Sequence, residues 1–107
     1  MTKVTLKQEL FSRYSVECEG HATGSAAVCA AVSCLVSSLE SWAANSHNAR
    51  IRRSEVRPGF ACIEFGPEGS SLEALQACRE VFSLVEGGFL RLAAGYPEYI
   101  RLERYMV

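Results

Sequence analysis

The sequence has 107 residues, 49% of them hydrophobic and 21% charged, with a formal net charge of −1. That is one domain's worth of chain, enough for one core and too short for two. The near-zero charge argues against nucleic acid or an anionic membrane as partner, and residues 26–44, the most apolar stretch, are interrupted by Ser33, Ser37, Ser38, Glu40 and Ser41, so no bilayer span is expected.

In chain order, residues 2–8 alternate, with Val4 and Leu6 on one side. Tyr14, Val16 and Cys18 alternate again, with Ser15, Glu17 and Glu19 opposite them. Two such runs close in sequence predict a hairpin of half-buried strands with Cys18 facing the core. Residues 25–45 read as a helix. Val28, Val32, Leu35, Leu39 and Trp42 recur at steps of three and four, and Ser25 stands where an N-cap would. Residues 45–48, Asn-Ser-His-Asn, end it.

Residues 51–56 and 60–65 are two more strands, joined by the turn signal Arg57-Pro58-Gly59. Residues 66–69 break the chain before a second helix, where Ser70 with Glu73 fits a capping box. Leu75, Cys78, Phe82, Val85, Phe89 and Leu92 form its apolar stripe. Gly87 and Gly88 inside that stripe predict a kink or a close backbone contact. Gly95-Tyr96-Pro97 stops the helix, and Ile100 and Leu102 alternate in a last short strand. The order is ββαββαβ. The expected fold is α+β and two-layered, a mainly antiparallel sheet with two helices on one face, with residues 1–107 as a single domain.

The stretch with chemistry in it is GHATGSAAVCAAVS, residues 20–33. A thiol is a nucleophile as thiolate, and a helix N-terminus or a nearby imidazolium favours that form. Cys29 falls in the first turns of the predicted helix, and a flexible small-residue loop could fold His21 back toward it. Imidazole could then take the thiol proton and later return one to a leaving amine. The plainer alternative is a loop histidine followed by a core cysteine.

Gly20-His21-Ala22, the small-residue loop, and Val28-Cys29-Ala30-Ala31-Val32-Ser33 resemble the double motif of the ribosomal-processing cysteine protease family Prp. Residues 99–102, Tyr-Ile-Arg-Leu, resemble that family's C-terminal segment. The resemblance implies a cytoplasmic cysteine endopeptidase, commonly a homodimer, that removes an N-terminal extension from a large-subunit ribosomal protein. His21 and Cys29 match the family's catalytic pair. Gly20 and Ala22 flank the histidine, and Ser33, one turn after the cysteine, matches a serine that helps organise the site. The loop is shorter than in resembling proteins, and Ala26 stands where they carry an aspartate. A non-catalytic binding module on the same fold, recognising a ribosomal or assembly partner, is the alternative.

The five cysteines, Cys18, Cys29, Cys34, Cys62 and Cys78, include no CxxC pair. They read as free thiols in a reducing compartment, three or four of them buried. A redox sensor would need a resolving cysteine at a suitable spacing, and none is evident. A metal site from His21, Cys29 and Cys18 would fail if Cys18 points into the core, so neither metal nor cofactor is expected. Arg50, Arg52, Arg53 and Arg57 read as a solvated strand edge, with no direct nucleic-acid contact expected. The first ten residues, MTKVTLKQEL, lack the apolar core of a signal peptide, and a cytoplasmic location is expected.

Overall fold

Alternation becomes strands wherever the sequence predicts it. In the computed structural model, which describes residues 1–10 and 12–107, the elements are β1 (Thr2–Glu9), β2 (Arg13–Glu19), α1 (Ala26–Asn45), β3 (Ala49–Arg57), β4 (Phe60–Pro67), α2 (Leu72–Gly95) and β5 (Ile100–Met106). The strands form one sheet in the order β3-β4-β2-β1-β5. Three pairings are antiparallel, and β5 lies parallel to β1. The fold is the expected α+β arrangement in the expected order.

Register puts the apolar residues on one face. Val4 pairs with Cys18 and with Leu102, Leu6 with Val16, Val16 with Ile63, and Tyr14 with Phe65. These side chains join one core with both helices, running in sequence from Val4 to Ile100. Tyr14 stacks on Phe65 at 5.4 Å and tilts against Phe82 of α2 at 4.8 Å. The other face is largely charged. There Arg53 and Arg57 both pair with Glu55 and lie over the Phe60 ring, as a solvated strand end would.

The helix α1 starts as predicted. Ser25 Oγ accepts the Val28 N–H at 3.2 Å, satisfying one orphan donor of the first turn. Its buried stripe is Val28, Val32, Val36, Leu39 and Ala43. Leu35 and Trp42, predicted for that stripe, are half-buried against its edge. The reason is geometric: steps of four from Val28 follow the sheet more closely than steps of three. The valines and Leu39 each contribute roughly 1.5–3 kcal/mol by burial, which outweighs the cap, worth ~1 kcal/mol. At 20 residues and a mean hydropathy of 1.5, α1 is long and apolar enough to cross a membrane. The serines therefore do not exclude a span as expected, whereas in this fold the stripe is buried against the sheet.

Three further expectations need correction. The N-cap of α2 is Ser71, whose hydroxyl accepts the Ala74 N–H at 3.1 Å. Ser70 is not the cap, and Glu73 sits in the first turn with no capping box. The buried stripe begins at Ala74, with Leu75 turned partly outward. The strands are also longer than predicted, because β3 and β4 continue their ladder to Ala49 and Pro67, and β5 follows β1 as far as Met106.

The glycine pair of α2 resolves into two different roles. The helix runs unbroken from Leu72 to Gly95. A Cβ on Gly88 would lie 2.7 Å from Leu35 Cδ2 of α1, whereas one on Gly87 would meet nothing within 4 Å. Gly88 thus lets α1 approach closely, and Gly87 only costs helix propensity. Gly87→Ala is expected to stabilise the fold by about 0.5–1 kcal/mol. Gly88→Leu should destabilise it by roughly 1–3 kcal/mol through overpacking. Thermal melts of both variants check this. A lower Tm for Gly87→Ala than for Gly88→Leu would refute the assignment.

Candidate active site

The site is built where β2 hands over to α1. Gly20 follows β2 with φ +90°, and its N–H donates to the Gly59 carbonyl at 2.8 Å. A Cβ there would stand 2.6 Å from the Met1 carbonyl oxygen, so only glycine fits. Ala22 is buried in the core. Its carbonyl accepts from Ser25 N–H at 3.0 Å and from the Cys29 thiol at 3.7 Å. The loop between histidine and cysteine is therefore folded back onto the first turns of α1.

Cys29 is the fourth residue of α1 and half-buried. His21 is exposed, its ring resting against Gly59 in the turn between β3 and β4. Both line a single groove of about 520 Å³ between α1 and the ends of β2, β3 and β4. Cys18, Val32, Val36 and Ala61 give the groove an apolar floor, and Gly20 and Ser33 also face it. Of the five residues singled out in the sequence, Gly20, His21, Cys29 and Ser33 meet at this groove, and Ala22 stands behind it in the core. Among the described residues, no hydrogen bond joins the His21 ring to the thiol.

Sequence reasoning missed the far wall. Val56, Arg57, Pro58, Gly59 and Phe60 close the groove opposite α1. The Pro-Gly signal announces a turn there, but nothing in sequence reports that this turn packs against His21, 38 positions earlier in the chain. A second cavity, of about 70 Å³, is lined by Lys7, Arg13, Arg52, Glu9 and Glu64 among others. It shares no residue with the groove, and its charges of both signs serve the sheet's solvated end.

The five thiols differ sharply in environment. Burial, with smaller contributions from Cys62 and Glu17, pushes Cys18 up to about 12. Burial likewise pushes Cys78 up to about 11 and raises Cys62. These three are held neutral inside the protein. Cys34 is exposed on the outer side of α1, away from the groove, and Cys29 is half-buried at it. Among the described residues, no three His, Cys, Asp or Glu side chains are arranged to hold a metal ion.

An accessible thiol at a helix start and an imidazole on the same groove are the parts of a thiol-dependent hydrolase. The chain belongs to the cysteine protease Prp family, whose model matches residues 1–101. Several solved structures share the fold, and three illustrate it. One is SMU.848 from Streptococcus mutans, with a TM-score of 0.73 and 23% identity, covering 100% of this chain and 99% of that one. Another is the essential ribosomal processing protease Prp of S. aureus with a substrate peptide, at a TM-score of 0.71 and 18% identity. The third is the same S. aureus protease with a covalently linked product peptide, at 0.70 and 18%. Both S. aureus structures align over 97% of this chain and 99% of theirs. No curated protein sequence matches significantly.

Iodoacetamide near neutral pH should separate the thiols. Cys18, Cys62 and Cys78 should stay unmodified while the protein is folded, and Cys29 should react faster than exposed Cys34. Peptide mapping measures this. Modification of Cys34 with Cys29 untouched would speak against an activated thiol at the groove.

Proposed function

We propose that this chain is a ribosomal-processing cysteine endopeptidase in which Cys29 is the nucleophile and His21 the general base and acid. The observation that carries the reading is the meeting of His21 and Cys29 on one groove of about 520 Å³. The apolar floor suits the side chains of an extended segment. The S. aureus relatives, described as a ribosomal processing protease with substrate and product peptides, support a peptide substrate from a ribosomal protein precursor.

The chemistry follows from the groups present. The Cys29 Sγ–H proton passes to His21 as sulfur attacks the scissile carbonyl carbon. The C–N bond breaks as the imidazolium returns that proton to the leaving amine. The acyl group is left as a thioester on Cys29. Water, giving a proton to His21, then attacks the thioester carbonyl, and the thiol is restored as the C–S bond breaks. The N–H groups of Val28 and Cys29 are engaged by Ser25 Oγ and the Ser25 carbonyl. Those of Ala26 and Ala27 have no intrahelical acceptor, and an oxyanion would be held by backbone N–H groups near the loop and helix start. Gly20 and Ala22 organise the loop through the contacts described above, and Ser33 faces the groove one turn beyond Cys29.

The same reading takes the whole chain, residues 1–107, as one protease domain, supported by its single core. Five free cysteines suit a reducing cytoplasm. The family resemblance implies a homodimer, which sedimentation would detect.

The test is mass spectrometry of the organism's own candidate ribosomal protein, incubated with each variant. Cys29→Ser should abolish cleavage, because the hydroxyl is far harder to ionise, while leaving folding and peptide binding nearly intact. His21→Ala should lower the rate by at least about 100-fold, the range for loss of general acid–base catalysis. Equal processing by wild type and Cys29→Ser would exclude Cys29 as the nucleophile, and binding of the precursor without cleavage by wild type would leave the chain a binding module.

A further inference from the structure

We infer that the turn between β3 and β4 is the platform that positions His21, and that Gly59 is a positioning residue for the reaction. The inference rests on the reading of His21 as the general base. The general base of a nucleophile–base pair needs something to hold its ring. No hydrogen bond to the His21 ring is present among the described residues, and Ala26 at the start of α1 offers none. What the ring does have is a packing surface. A Cβ on Gly59 would lie 2.9 Å from His21 Nε2, 3.5 Å from Cδ2 and 3.6 Å from Cε1. The ring therefore occupies the space that any side chain at position 59 would take.

The same residue holds the backbone. The Gly59 carbonyl accepts the N–H of Gly20, the residue immediately before His21, at 2.8 Å. One turn residue thus fixes both the origin of the histidine's chain and the resting place of its ring. Position 59 can do this because Pro58-Gly59 forms a turn with Gly59 at φ +75°, in the left-handed region. The backbone favours glycine there, and any side chain at position 59 would push the imidazole from its place.

These two demands can be separated by experiment. Asparagine tolerates the left-handed backbone better than other side-chain-bearing residues. Gly59→Asn keeps the turn and inserts a Cβ where the ring sits. Gly69 supplies the matched control: its φ is +78°, and a Cβ there meets nothing within 4 Å. The substrate is the ribosomal protein cleaved in the assay above. Gly59→Asn should lower kcat about 10- to 100-fold, the scale of a misplacement near 1 Å, with KM changed less than threefold. Gly69→Asn should stay within twofold of wild type.

Two further readouts separate positioning from loss of structure. The pH profile of kcat/KM should shift on its acidic side in Gly59→Asn and not in Gly69→Asn, because only the first changes the surroundings of His21. In a His21→Ala background, Gly59→Asn should have no further effect on cleavage, since no ring remains to displace. Gly59→Ala, with a smaller side chain in the same place, gives a second variant should asparagine disturb the fold. If His21→Ala abolishes cleavage but both Gly59 variants match Gly69→Asn in rate and pH profile, the platform is overturned. If His21→Ala itself cleaves normally, the general-base reading fails instead.

Discussion

Val28, Val32, Val36 and Leu39 bury against the sheet, and this contact sets the rotation of α1 about its own axis. Each residue along a helix is turned by about 100° from the one before it. With Val28, Val32 and Val36 facing the core, the next residues, Cys29, Ser33 and Ser37, are carried to the same edge of the helix. That edge is the one that lines the groove. The thiol therefore reaches the groove because of where the valines go. The Ser25 cap fixes where the helix begins, so Cys29 also lands near the end that favours negative charge.

The second constraint is selective burial of the sulfur atoms. Cys18 and Cys29 both line the groove, yet Cys18 is almost wholly buried and pushed up to about 12. A thiol held neutral in this way cannot serve as nucleophile or readily ligate a metal. Cys29 packs at the edge of the core without entering it. At rest its thiol donates to the Ala22 carbonyl, a contact that sulfur must leave to attack a substrate. The loop supplying that carbonyl also carries His21, so the proposed nucleophile and base are tied to one short piece of chain.

Much of this was legible in residues alone, and the reasons are specific. Alternation of Val4 and Leu6 with Tyr14, Val16 and Cys18 marked the central hairpin because one face of that sheet is open to solvent. Ser25 and the valines marked α1 because capping and helical periodicity are local properties. The capping of α2 was misplaced by one residue because Ser70 and Ser71 are adjacent and chemically equivalent, and only backbone geometry chooses between them. The parallel pairing of β5 with β1 could not be read, since it joins the two ends of the chain. For the same reason the β3–β4 turn was recognised as a turn and not as part of the site. Its contacts with Gly20 and His21 are set by sheet order, which places β4 beside β2.

The central claim is that a peptide in the groove is attacked by Cys29. A peptidyl chloromethyl ketone, built on the sequence preceding the cleavage site in the ribosomal protein, tests it most directly, because it reacts fastest where a bound peptide is held against a nucleophile. The account predicts one adduct per chain on the peptide containing Cys29. That adduct should be lost in Cys29→Ala and suppressed by excess substrate, and labelling should abolish cleavage. An adduct confined to Cys34, or a fully labelled protein that still cleaves at the wild-type rate, would contradict it.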